Sequence, residues 1–94
     1  MLIKGSIKDT LAEIRNRRIA LAFFDMDDYT PTKVALPPVF DNLSLGGFIV
    51  HDHFVFSSLL YGACAGQRIA MTEFLKECRP RLFQLAGTNV FMKV

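Results

Sequence analysis

The 94 residues read as a single α/β domain built on a mostly parallel sheet that closes with an antiparallel hairpin at its carboxyl end. Three observations predict this. Ile19-Ala20-Leu21-Ala22-Phe23-Phe24 and Phe48-Ile49-Val50-His51-Asp52 are short, nearly continuous apolar runs, the pattern of strands buried on both faces of a parallel sheet. Between them stands a helix-start signal, Thr30 before Pro31. Each run also ends in acidic residues, at the edge where open α/β sheets bind small molecules and metals.

The elements follow in order. Met1 to Lys4 is an apolar strand candidate ended by Gly5, and Ser6 to Asn16 is a loop running into a short helix that Asp9 or Thr10 could cap. Ile19 to Phe24 is the first firm strand. The crossover helix is expected over Thr30 to Leu43. Within it, Pro37-Pro38 removes backbone donors and clashes with the preceding turn, which predicts a break or kink near Leu36 with a second short helical piece through Leu43. Leu45-Gly46-Gly47 is expected to turn the chain into the second strand, giving a right-handed parallel strand, helix, strand unit. Ala65 to Cys78 carries Ile69, Phe74 and Leu75 at helical spacing and should be an amphipathic helix ended by Pro80. Arg81 to Leu85 and Val90 to Val94 flank Ala86-Gly87-Thr88-Asn89 as the closing hairpin.

Composition narrows the function classes. Apolar residues make up 51% of the chain and nine residues are Phe, so the chain is globular, with more hydrophobe than so short a domain can cover by itself. A partner chain or further polypeptide is expected over part of that surface. The net charge is only +2, and the one basic cluster, Arg15, Arg17 and Arg18, suits a solvated helix end, so no nucleic-acid partner is expected. No run approaches the length of a membrane span and the N-terminus lacks a signal-peptide core, so no membrane partner is expected. Cys64 and Cys78 have no metal or redox spacing and read as reduced thiols in a cytoplasmic protein.

The residues that carry chemistry are the acidic strand ends. Asp25-Met26-Asp27-Asp28-Tyr29 follows the first strand, and Asp52-His53 follows the second. Oxygen-rich groups converging on one sheet edge suit a hard divalent cation. The competing reading is a solvated corner in which Asp caps the following helix. By alternation His51 points away from Asp52 and reads as a structural histidine. Lys33 and Arg68 read as helix-surface charges, and Phe54-Val55-Phe56 as a loop packed beneath a helix or lining a pocket.

Taken together, Gly5 with Lys8-Asp9-Thr10-Leu11, Asp25-Met26-Asp27-Asp28-Tyr29 with Pro31-Thr32-Lys33, Gly46-Gly47-Phe48-Ile49-Val50 with Asp52, and Gly66-Gln67-Arg68-Ile69-Ala70 with Glu73-Phe74-Leu75 form an ordered series. The series resembles the macrocin O-methyltransferase family of S-adenosylmethionine-dependent enzymes, over about residues 3 to 76. The family pattern runs as a glycine and Asp-Thr-Leu, then Asp-x-Asp-Leu-Tyr-x-x-Thr-Lys, Gly-Gly-x-Ile-x-x-Asp-Asp-Tyr and Gly-x-x-x-Ala-x-x-x-Phe.

The resemblance implies the carboxyl-terminal part of a doubly wound, Rossmann-like methyltransferase sheet of strand order 3-2-1-4-5-7-6, with Met1 to Lys4 as its third strand. It implies transfer of a methyl group from S-adenosylmethionine to a hydroxyl of a small molecule, with sugar-bearing natural products as the substrate class. It also implies a divalent cation, usually Mg2+, on Asp25, Asp52 and His53. His53 departs from the family's second Asp, Phe54 from its Tyr, and Asp28 stands where Leu is usual. Imidazole shifts the metal preference from magnesium toward manganese, iron or zinc. The glycine-rich turn and the acidic residue that hold the cofactor belong to the fold's N-terminal half, so residues 1–94 are expected to form a partial domain with no cofactor-binding residue of its own. Completion by that missing half or by homo-oligomerisation is expected, and a non-catalytic interaction or dimerisation module is the alternative function.

Overall fold

The computed structural model describes residues 2–26, 28–52, 65–78 and 81–94. Asp27, His53, Phe54-Val55-Phe56, Cys64 and Pro80, and the side chain of Cys78, lie outside the described residues. A short helix α1 (Ile7–Thr10) and a 3-10 turn (Leu11–Ile14) lead into strand β1 (Ile19–Phe24), helix α2 (Tyr29–Asn42), strand β2 (Leu43–His51), helix α3 (Ala65–Cys78) and the strands β3 (Leu82–Gln84) and β4 (Val90–Lys93). The described strands form one sheet in the order β1-β2-β4-β3. β1 and β2 are parallel, β4 runs antiparallel to β2, and β3 pairs antiparallel with β4. This matches the 4-5-7-6 half of the expected order, hairpin included. The hairpin turn uses Ala86 at φ 45° and Gly87 at φ 69°, and the Thr88 N–H donates to the Leu85 carbonyl at 2.8 Å.

Four sequence expectations need correction. The first concerns Met1 to Lys4. Residues 2–4 form no strand, and Leu2 is fully exposed. A strand needs a neighbour to hold its N–H and C=O groups, and no described strand flanks this segment. Nearby, Ser6 rather than Asp9 or Thr10 precedes α1, and the Thr10 hydroxyl donates back to the Ser6 carbonyl at 3.1 Å.

The second concerns the proline pair. α2 runs unbroken through Pro37 and Pro38. Proline inside a helix costs about 3 kcal/mol or more, but Leu36, Val39 and Phe40 are buried on either side of the pair, at ~1.5–3 kcal/mol each. Packing therefore outweighs the missing donors. The helix end is also held from outside, because the Lys93 ammonium donates to the Phe40 carbonyl at 2.8 Å and to the Leu43 carbonyl at 2.9 Å.

The third concerns the glycine turn. β2 begins directly after α2, and Leu45-Gly46-Gly47 lies inside the strand as an irregularity, where the pairing with β1 slips from Ile19↔Leu43 to Leu21↔Phe48. Gly46 takes φ 79° there, a conformation glycine adopts at little cost.

The fourth concerns burial. The helix-facing side of the sheet, with Phe24, Ile49, His51 and Phe91, packs against Leu36 and Phe40 of α2 and Ala70 and Met71 of α3. The other side carries Leu21, Phe23, Phe48, Val50, Met92 and Phe83 in register across all four strands, and Leu21, Phe23 and Phe83 are more than half exposed. β1 is an edge strand of the described sheet, buried on one face. α3 is turned as well: Ile69 is half exposed, whereas Gln67, Ala70 and Met71 are buried.

That rotation has a local cause. A Cβ on Gly66 would lie 2.5 Å from the Tyr29 backbone nitrogen and 3.0 Å from its Cα, so α3 starts in backbone contact with the start of α2. The i, i+4 row of Gly66, Ala70 and Phe74 then faces α2, where Phe74 meets Phe40 edge-on at 5.6 Å between ring centroids.

Candidate functional site

Two of the expected acidic groups meet at the sheet edge. Phe24 pairs with His51 at the carboxyl ends of β1 and β2, so Asp25 and Asp52 leave neighbouring parallel strands at the same level. The Asp52 N–H donates to the Phe24 carbonyl at 2.9 Å, carrying the ladder one residue past the strands, and both acidic residues are exposed. His51 turns the other way, as alternation requires. It is fully buried, with its ring 5.1 Å from that of Phe24 and 5.8 Å from that of Phe91. Burial pushes its pKa down to about 4, and the neighbouring Gln67 side chain opposes part of that shift.

Sequence reasoning missed Gln67 as a site-building residue. Its side chain is fully buried, and its amide nitrogen donates to the Met26 carbonyl at 2.5 Å and, more weakly, to the Phe24 carbonyl at 3.3 Å. The available signal was a long polar residue directly after Gly66, at a position the helix period turns inward. Further along the same loop, the Asp28 carbonyl accepts from the Thr32 hydroxyl at 2.9 Å. Asp28 is the residue before α2, yet no hydrogen bond from its side chain caps the helix.

Beside this loop, the Tyr29 hydroxyl donates to the Glu73 carboxylate and accepts from the Lys33 ammonium at 2.9 Å, with Lys33 3.8 Å from Glu73. The bond and charge interaction with Tyr29, followed by Glu73, hold the Lys33 ammonium above its ordinary pKa. Lys33 and Arg68 are exposed on their helices, in keeping with the sequence reading. The row Tyr29, Thr32 and Lys33 thus ties α2 to the loop and to α3.

Among the described residues no three His, Cys, Asp or Glu side chains come together as a metal-holding group. Asp25 and Asp52 supply two oxygen donors, and His53 lies outside the described residues. A recess of about 350 Å³, lined by Asn16, Arg17, Arg18, Asp41 and Asn42 among others, opens at the opposite end, where β1 and β2 begin. No helix among the described residues is long and apolar enough to cross a membrane.

Comparison with known proteins bears on this arrangement. The chain is similar to the solved apo structure of CalS11, a TDP-rhamnose 3'-O-methyltransferase of calicheamicin biosynthesis, at 31% identity and a TM-score of 0.70, over 98% of this chain and 40% of that one. It is similar also to a crystal structure of the calicheamicin methyltransferase CalS11, at 30% identity and a TM-score of 0.69, over 98% of this chain and 36% of that one. The chain thus spans well under half the length of these solved relatives. No curated protein matches it. The family described as Macrocin-O-methyltransferase (TylF) matches residues 1–91, nearly the whole chain, so the chain belongs to the macrocin O-methyltransferase family.

Proposed function

We propose that this chain carries the cation- and acceptor-binding side of an O-methyltransferase that moves a methyl group from S-adenosylmethionine to a hydroxyl of a small molecule. A sugar-bearing natural product is the acceptor class, in keeping with the sugar nucleotide named for the solved relative. The observation that supports this reading most is the placement of Asp25 and Asp52 at one level on the carboxyl ends of adjacent parallel strands.

Two exposed carboxylates on a fixed backbone fit a hard divalent cation, and Asp25 and Asp52, with His53 from outside the described residues, are the residues that would hold it. When bound, such a cation acidifies and orients an acceptor hydroxyl. The chain's own residues supply position: β1 and β2 fix the spacing of the two acids, and the Tyr29, Lys33 and Glu73 group pins the start of α2 behind them. S-adenosylmethionine, when bound, would supply the methyl group, its carbon–sulfur bond breaking with the electron pair left on sulfur as the acceptor oxygen takes the carbon and gives up its proton to water, which needs mainly in-line positioning. No residue of this chain is assigned to S-adenosylmethionine.

The test is calorimetric titration of the chain with Mg2+ or Mn2+, with and without S-adenosylmethionine. Metal uptake is expected, weakened about tenfold or more by Asp25→Asn or Asp52→Asn. Equal affinity in wild type and both variants would remove the two acids from the site.

A second reading, a non-catalytic dimerisation module, is favoured by the exposed apolar side of the sheet. A second copy of this chain is the occupant it commits to, because an uncharged face is self-complementary across a two-fold axis. At ~200 Å² for each aromatic side chain, Leu21, Phe23, Phe83 and their half-buried neighbours offer roughly 500 Å² per copy. A pair then reaches the ~1,000 Å² that a specific interface requires. Light scattering should give twice the chain mass, and Leu21→Glu with Phe23→Glu should return it to one. A monomeric wild type would end this reading.

A further inference from the structure

We propose that Gln67 is the positioning residue that sets Asp25 against Asp52, an inference that rests on the cation site proposed above for its functional consequence. Gln67 is fully buried at the inner end of α3, and its one amide reaches the backbone on both sides of Asp25. Its nitrogen donates to the Phe24 carbonyl at 3.3 Å and to the Met26 carbonyl at 2.5 Å, so the residues immediately before and after Asp25 are both held. The same amide neighbours the buried imidazole of His51, the residue immediately before Asp52.

The Phe24 carbonyl closes the loop of contacts, since it also accepts the Asp52 N–H at 2.9 Å. Asp25 therefore sits between two tethered carbonyls, and one of them also holds Asp52, with the same glutamine at the centre. Gln67 bonds the main chain on either side of Asp25, so its part is geometric. The helix can bring it that close only because Gly66 lets the start of α3 rest on the Asp28 and Tyr29 backbone. An amide is the side chain this position requires: a primary amide offers two N–H donors for two carbonyls, and no other uncharged side chain but asparagine, which is one methylene shorter, offers that pair.

The experiment compares the full wild-type chain with Gln67→Met, which keeps the shape, and Gln67→Glu, which keeps oxygens and loses both donors. Nitrogen-15 order parameters at Asp25 and Met26 and hydrogen exchange at the Asp52 amide report the strand ends, and exchange at β4 amides reports the rest of the fold. Both variants are expected to loosen Asp25 and Met26 and to speed exchange at Asp52 about tenfold, with β4 amides unchanged, and to weaken Mn2+ binding about tenfold with a broadened Mn2+ electron-resonance spectrum.

Loosening that is absent, or uniform across the fold, overturns the proposal. In the wild type the side-chain amide protons of Gln67 should exchange slowly, and fast exchange there overturns it even where the variants do not fold. Absence of Mn2+ uptake by the wild type would strike the cation reading alone, because the order parameters and exchange rates still decide what Gln67 holds.

Discussion

Gly66→Ala should destabilise the chain by about 2 kcal/mol or more, even though the same change in an unobstructed helix is stabilising by ~0.5–1 kcal/mol. The reversal comes from space. The added Cβ would stand 2.5 Å from the Tyr29 nitrogen, 3.0 Å from its Cα and 3.1 Å from the Asp28 carbonyl carbon, all of them backbone atoms that cannot rotate aside. Relief requires α3 to withdraw from α2 by about 1 Å, which opens a well-packed contact and draws Gln67 away from the carbonyls it holds.

The matched control is Gly46→Ala. Gly46 has nothing within 4 Å of its would-be Cβ, so its cost is only that of placing alanine at φ 79°, about 1 kcal/mol. Urea unfolding of both variants separates the two effects, and thermal midpoints should follow, with roughly 4–8 °C lost per kcal/mol in a domain of this size. Equal losses in the two variants would mean that α3 does not approach α2 as closely as the backbone contact requires.

How far the sequence was legible depends on whether a feature is local. The hairpin and the bounds of α3 were readable because turn residues and helical periodicity act over a few positions. So was the inward side of His51, which alternation alone sets. The acidic strand ends were readable for the same reason: both apolar runs end where an α/β sheet presents its ligand edge. The features that were misread are all settled at a distance.

Pro37-Pro38 breaks a helix when propensity alone is weighed, and the burial of Leu36, Val39 and Phe40 reverses that balance. Ile69 fits an apolar stripe by spacing, but the face of α3 is chosen by where Gly66 can touch Tyr29, a contact between residues on different helices. The two-sided burial expected of Ile19 to Phe24 failed because periodicity reports how apolar a strand is, not what lies over it. Gln67 was invisible as a site residue because its partners are main-chain carbonyls, which any sequence supplies.

Acidification should unfold this chain earlier than its carboxylates alone require, and His51 is the cause. In the folded state its pKa is lowered from 6.5 to about 4 by burial between the Phe24 and Phe91 rings, with the Gln67 amide as its polar neighbour. Unfolded, the ring recovers the ordinary value near 6.5. Above that value both states carry a neutral imidazole and the group is indifferent to pH. Between 6.5 and about 4 the unfolded chain binds a proton that the folded chain refuses, so stability falls as pH falls, by about 1.4 kcal/mol per unit and about 3 kcal/mol in all. Below about 4 both states are protonated and the loss levels off.

Unfolding free energy measured from pH 7.5 to 4.5, above the range where most carboxylates titrate, should therefore show a drop of about 2–3 kcal/mol. A His51→Phe chain, with a ring of similar size between the same two aromatics, should flatten that drop. A flat wild-type profile over the window would place His51 in contact with solvent and not between the Phe24 and Phe91 rings.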